Sequence, residues 1–448
     1  MNVLFISLGC DKNLVDSENM LGLLTEAGYR LVDDETQADV IVINTCCFIN
    51  DAKEESIQTI LEMSWHRREG CCRALLVTGC LAQRYRQEIL EEIEEVDAVL
   101  GTTSFQRLTE TIDQVLAGEK PGVQVDSLEL LPRVQAKRLL TTGGHYAHLK
   151  IAEGCDKHCT YCIIPKIRGS YRSVPMEELL REAQELAEGG VRELILVAQE
   201  TTLYGVDLYG RKMLPQLLRK LCQIQGLWWI RLQYCYPEEI TEELIQTIGE
   251  EPKLCHYLDM PIQHASDRIL KRMGRKTTRA QIEEKIALLR RMIPDICLRT
   301  TLITGFPGET QEEHQELLEF VDTQEFDRLG VFAYSPEEDT PAATMPDQIP
   351  EELKEERRQE IMELQQEISL DRAEKLIGKE LLVMIEGQVA GENAYVARTY
   401  RDAPDVDGYL FLNTDQVLVS GDFARVRVTG ALEYDLIGEL NDEYESAK

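Results

Sequence analysis

Three apolar runs, at residues 3–8, 40–43 and 74–77, punctuate the first part of the chain without polar alternation. Strands covered on both faces of a parallel sheet read this way, whereas strands with one wet face alternate. Helical spacing fills the gaps, over residues 17–24 with Gly28 as a stop and over residues 51–63. The βαβα order predicts a doubly wound α/β domain over residues 1–135.

Beyond it, six strand candidates centre on residues 149–151, 194–197, 230–233, 257–260, 299–303 and 331–334. Helical stretches at 176–188, 238–248, 279–292 and 311–323 lie among them. Six β/α units fall short of an eightfold barrel, so the expectation is a partial, TIM-like (βα)6 barrel with an open side. A charged helix over residues 350–375 leads out of it, giving a domain of residues 136–375. Residues 376–448 then switch to short β runs at 381–385, 395–398, 408–412, 424–428 and 434–439. They predict a small antiparallel β-barrel of the OB type.

Composition narrows the setting. Hydrophobic residues are 43% and charged residues 29% of the 448 positions, an ordinary globular balance. No apolar run is long enough to cross a membrane. The opening residues read as a strand rather than a signal peptide, so the expectation is a cytoplasmic protein. Its thirteen cysteines then serve metals or catalysis rather than disulfides. A net charge of −32 is the wrong sign for gripping a phosphate backbone. Residues 378–448 share it, with six Lys and Arg against fourteen Asp and Glu. That balance suits a basic protein partner better than RNA.

The chemistry lies in the cysteines. Cys155, Cys159 and Cys162 have the spacing C-x3-C-x2-C. Clustered thiolates suit an iron–sulfur cluster or zinc, and three of them leave one iron of a four-iron cluster open to a chelating molecule. A structural zinc site and unligated buried thiols are the other readings. Cys155 follows the first barrel strand, at the carboxyl end where barrel chemistry sits. A second trio is spread along the chain. Cys10, Cys46 and Cys80 each end one of the first three strands, and the crevice of an open parallel sheet lies beyond those ends. Adjacent Cys46 and Cys47 are not separated by periodicity. Further polar strand ends are Gln199–Thr202, Gln263–His264 and 305–309. His264 reads as a structural histidine. Two basic groups stand out, one between Arg268 and Arg279 and one of Lys166, Arg168 and Arg172 just past the cysteine loop. Both are candidate anchors for an acidic partner or for part of a cofactor or substrate.

The segment Glu153-Gly154-Cys155 to Cys162, with Ile163-Ile164-Pro165-Lys166-Ile167-Arg168-Gly169 after it, resembles the radical S-adenosylmethionine (SAM) enzymes. The resemblance implies a [4Fe–4S] cluster on Cys155, Cys159 and Cys162. Its open iron would chelate SAM, whose reductive cleavage gives methionine and a 5′-deoxyadenosyl radical. It also implies Tyr161 along the adenine, Glu200 near the ribose or amino group, and Gly305 against the nucleoside. Gly9-Cys10-Asp11-Lys12-Asn13, Asn44-Thr45-Cys46 and Thr78-Gly79-Cys80 look like the methylthiotransferases within that superfamily. That likeness implies a second [4Fe–4S] cluster on Cys10, Cys46 and Cys80, with Cys47 excluded. It makes all six cysteines catalytic as well as metal-binding. The tail resembles the TRAM domain, which binds RNA in relatives.

The implied activity inserts sulfur and a methyl group at an unactivated C–H bond, which requires a radical. It implies a low-potential electron donor and a sulfur donor as partners. One branch of the family modifies an aspartate β-carbon on the twelfth small-subunit ribosomal protein; another modifies a tRNA adenosine. Lys12, the sequence around Cys46 and Cys47, residues 163–169 and the acidic tail favour the protein branch. Val174 after Ser173 departs from the family, which often has Arg there. The rival outside the family is a non-catalytic iron–sulfur electron carrier or RNA-binding module.

Overall fold

The computed structural model describes residues 1–134 and 136–441. Asp442, Glu443, Glu445 and Lys448, counted above in the tail, lie outside the described residues. The first sheet contains Asn2–Ser7 (β1), Arg30–Val32 (β2), Val40–Thr45 (β3), Ala74–Gly79 (β4), Ala98–Leu100 (β5) and Gly122–Gln124 (β6). Its order is β2-β1-β3-β4-β5-β6, and every pair is parallel. Val40, Val42, Ala74 and Leu76 pack under Met20 and Leu24 of helix Asp11–Glu26 (α1). Ile41, Ile43, Leu75 and Val77 pack under Ile60 of helix Asn50–Glu69 (α2) on the other face. Both faces are covered, which is why the strands do not alternate. The sheet is doubly wound as expected. Three of its strands are only three residues long, too short for a periodic signal.

The second sheet begins with Tyr146–Lys150 (β7). A short hairpin, Ala152–Glu153 (β8) with Arg172–Ser173 (β9), frames the cysteine loop. Glu193–Val197 (β10), Trp229–Leu232 (β11), Leu254–Asp259 (β12), Cys297–Thr304 (β13) and Arg328–Ala333 (β14) follow. The order β14-β13-β12-β11-β10-β7 is parallel and unclosed, a partial barrel. Outside it, a wide apolar layer joins the strands to their helices, including the long helix Glu351–Glu374.

The tail forms a closed barrel of Glu380–Gln388 (β15), Ala394–Thr399 (β16), Leu410–Asn413 (β17), Phe423–Ala431 (β18) and Leu436–Leu440 (β19). The β17–β19 pair is parallel and the others antiparallel. This barrel packs against the amino-terminal ends of the larger barrel's strands. Met384, Ala403 and Phe423 pack with Tyr146, Ile195, Trp229, Tyr257 and Cys297. The joint is strongly charged. Buried Glu193 binds Arg231 and Arg398, each at 2.7 Å, and Arg398 binds Glu386 at 2.7 Å. Arg299 meets Asp407 at 3.3 Å and Arg328 meets Asp402 at 2.5 Å. Several tail acids therefore face inward. The excess that composition assigns to an outside partner is partly used within the chain.

Candidate functional site

The site forms where both sheets present carboxyl ends. β1, β3 and β4 are neighbours, so Cys10, Cys46 and Cys80 come to one edge. Gly9 and Gly79 precede two of them with φ of +94° and +92°. A Cβ on Gly9 would lie 2.7 Å from that of Cys46, and one on Gly79 would lie 2.3 Å from Asn44 Oδ1. Both positions therefore exclude side chains. Asn13 ties the strand ends, donating to Leu8 O at 2.6 Å and Thr45 O at 3.1 Å. Ser56 of α2 clamps Cys46, accepting from its N–H at 3.0 Å and donating to its carbonyl at 2.8 Å. Cys47 instead packs in the core with Ile43, Val77 and Leu81. Cys71 donates to Thr36 O at 3.0 Å and takes no part in this edge.

Cys155, Cys159 and Cys162 lie on the loop after β8. The Cys155 N–H donates to Gly169 O (3.1 Å), and Thr160 N–H donates to Met273 O (2.9 Å). Burial pushes the Cys155 thiol up to about 12, with Cys159 adding to it. Burial likewise pushes Cys46 up to about 12, with Cys80 and Cys10 adding. Metal binding displaces the protons of thiols held up in this way. Among the described residues no group of three such side chains converges on a single-ion site. A cubane cluster spreads its ligands over separate iron corners, so it asks for a wider arrangement than zinc.

Several buried polar atoms beyond the strand ends of the partial barrel lack protein partners. They include Glu200 Oε2 after β10, Gln233 Oε1 after β11, and Arg272 and Arg275 nitrogens. Arg275 stacks 4.2 Å over the Tyr236 ring, whose hydroxyl lies 3.8 Å from Cys159 Sγ. Glu200 is raised to about 7 by burial, against Thr202 and Lys157, which lower it. Such unpaired groups are costly unless a polar ligand meets them. Tyr161 packs with Ile269, Met273 and Phe306. Gly305 has a second reason to lack a side chain: a Cβ there would lie 2.3 Å from Lys354 Cγ of the long helix. His264 is fully buried, and its Nδ1 accepts from Ser266 N–H at 2.9 Å.

The two trios are coupled by residues that sequence reading placed otherwise. Arg168, a candidate anchor for an acidic partner or for part of a cofactor or substrate, is buried against the chain's own acids. It binds Asp16 at 2.7 Å and Glu153 at 3.3 Å, and donates to Asn13 Oδ1 at 2.8 Å and Cys80 Sγ at 3.3 Å. Arg172 donates to the Ser170 and Arg168 carbonyls. Arg268 binds Glu313 at 2.5 Å. Lys12 lies 3.3 Å over the Tyr234 ring, and the Tyr234 hydroxyl donates to Asp11 at 3.3 Å. Tyr234 has a φ of +61°, rare for such a residue and concentrated at functional sites. The sequence carries no local signal for the Lys12–Tyr234 pair, whose members are far apart in the chain.

Comparison with known proteins gives three matches in chain order. They are "Uncharacterized protein family UPF0004" over residues 2–101, the radical SAM superfamily over 149–321 and the TRAM domain over 377–440. The ribosomal protein uS12 methylthiotransferase RimO of Lachnoclostridium phytofermentans is 62% identical, covering 98% of this chain and 99% of its own. The RimO of Clostridioides difficile is 49% identical over 97% of each. Among solved structures, the radical SAM methyltransferase TsrM of Kitasatospora setae superposes with a TM-score of 0.54 at 15% identity, covering 94% of this chain and 81% of its own. That likeness is one of fold.

Proposed function

The chain belongs to the RimO family of ribosomal protein uS12 methylthiotransferases, and from that premise we propose that it methylthiolates an aspartate β-carbon of uS12. The full-length relation to RimO carries this reading and disfavours the tRNA branch. Cys155, Cys159 and Cys162 would hold one [4Fe–4S] cluster, and Cys10, Cys46 and Cys80 a second. Bound there with SAM, such clusters would supply reductive cleavage of SAM to a hydrogen-abstracting radical and a sulfur carrier, chemistry no side chain provides.

The protein's own part is positioning and charge. Arg275, Arg272, Glu200 and Gln233 offer buried, unpaired polar atoms to SAM's amino-acid and ribose groups. A carboxyl raised to about 7 is neutral or charged with little bias at neutral pH, so Glu200 can donate or accept a hydrogen bond. Arg168 places a fixed positive charge at Cys80, which favours its thiolate as a ligand. Residues 1–135, 136–375 and 376–448 would act as sulfur-carrying, SAM-cleaving and supporting domains. A low-potential electron donor and a sulfur donor complete the reaction.

The test is anaerobic reconstitution with iron, sulfide, SAM and a strong reductant, offering uS12 and tRNA separately. A methylthio mass increment on uS12 is expected. An increment on tRNA alone, or no 5′-deoxyadenosine, overturns the reading.

A further inference from the structure

Helix α2 turns one face into the first domain through Ser56, Ile60 and Ser64. The neighbouring stripe, about 100° round the helix, carries Ile57, Leu61 and Trp65, exposed to 39%, 48% and 52%. A four-residue spacing sets these three in one stripe along the helix. Phe48, two residues before the helix and two after Cys46, is 44% exposed as well. Large apolar side chains gathered on a soluble surface mark an interaction site. Nothing in the chain covers this one among the described residues.

The charge around the stripe indicates its occupant. Asp51, Glu54, Glu55 and Glu62 are exposed beside it, and Asp51, Glu54, Glu55, Ile57 and Gln58 line a shallow groove. The helix's two arginines are already engaged, Arg67 by Asp97 and Arg68 by Glu95. An apolar track with acidic borders on a chain of net charge −32 fits a basic protein with apolar anchors and repels RNA. The same helix holds Cys46 through both Ser56 hydrogen bonds. A protein lying along the track is thereby led to the edge where the sulfur-carrying cysteines converge.

We propose that the outer face of α2 docks the substrate ribosomal protein, with Ile57, Leu61 and Trp65 as anchors and the flanking carboxylates meeting its basic residues. This rests on the reading of uS12 as substrate. These side chains touch no reacting atom, so their role is recognition and shows in KM rather than kcat.

The test compares the reconstituted wild type with Leu61→Glu/Trp65→Glu and with Glu54→Lys/Glu62→Lys. Melting temperature, substrate-free 5′-deoxyadenosine formation, and KM and kcat for uS12 are measured. Both variants should melt like the wild type and form 5′-deoxyadenosine at its rate. KM for uS12 should rise about tenfold or more with kcat kept, as loss of interface anchors predicts. Added salt should raise the wild-type KM and move the lysine variant less. An unchanged KM in both variants overturns the docking proposal while leaving the substrate reading intact. A wild type that modifies only tRNA overturns the substrate reading itself. A wild-type dimer that the Leu61→Glu/Trp65→Glu variant dissolves, with KM unmoved, assigns the stripe to a second copy and overturns the proposal.

Discussion

Arg168 Nη2 donates to Cys80 Sγ across 3.3 Å. Arg168 follows the cysteine loop of the partial barrel, whereas Cys80 ends a strand of the first sheet. One guanidinium, anchored by Asp16, Glu153 and Asn13, therefore fixes the two cysteine trios relative to each other.

Arg168→Lys keeps the charge and loses the fork. A hydrogen bond to a charged group is worth about 1.5–3 kcal/mol, so methylthio transfer should slow by about ten- to a hundredfold. Formation of 5′-deoxyadenosine should change far less, because the Cys155 loop keeps its own anchors at Gly169 and Met273. Equal loss of both rates in a paired assay would contradict a coupling role.

Cys46→Ala and Cys47→Ala separate adjacent residues. The first should remove about half of the reconstituted iron if each trio holds one [4Fe–4S] cluster. The second should leave the iron content unchanged and cost some stability, since Cys47 is fully buried in the core. Iron and sulfide analysis with visible absorption reads the difference.

Glu193→Ala leaves Arg231 and Arg398 facing each other without their shared carboxylate in a fully buried joint. Breaking a buried ion pair on one side costs about 3–5 kcal/mol. The variant should melt earlier, and limited proteolysis should release the tail barrel first.

Acid should open the same joint. Burial works to raise the Glu193 carboxyl, but Arg398 and Arg231 outweigh it and hold it below 4.5. Asp327, buried with Arg401 and Arg372, is held below 3.8 in the same way. The folded protein then binds fewer protons than the unfolded chain. This stabilisation is fully present above the ordinary carboxylate values and is lost as pH falls through and below them. Proteolysis of the tail measured from pH 7 to 3 should stay flat and then rise below about 4.5. A rise already complete at pH 6 would assign the joint to other groups.

Much of this was legible in the chain. The strands of the first sheet that carry cysteines are long and apolar on both faces, so their pattern survives in sequence. The six barrel strands and the long helix Glu351–Glu374 also emerge from periodicity. Other features depend on contacts that no local pattern encodes. Cys46 and Cys47 part only in space, where Gly9 and Ser56 lie against the first and the core takes the second. Arg168 reads as an anchor for a partner, cofactor or substrate until Asp16, 152 residues away, comes to meet it. Glu386, Asp402 and Asp407 count as free acidity in composition, yet arginines of the partial barrel or the tail itself hold them. Gly305 invites a ligand in sequence, and only space adds Lys354 as a second reason for it.

The docked tail barrel also dictates an order of manufacture. Arg299 and Arg328 find Asp407 and Asp402 108 and 74 residues later, and Arg231 finds the Tyr400 carbonyl 169 residues later. A ribosome delivers residues in sequence, so the partial barrel waits with cationic side chains at an uncovered face. Its final packing is deferred until the last stretch of the described chain emerges. A nascent chain stalled before residue 398 should consequently be sensitive to protease and prone to aggregate, even with every cysteine already made.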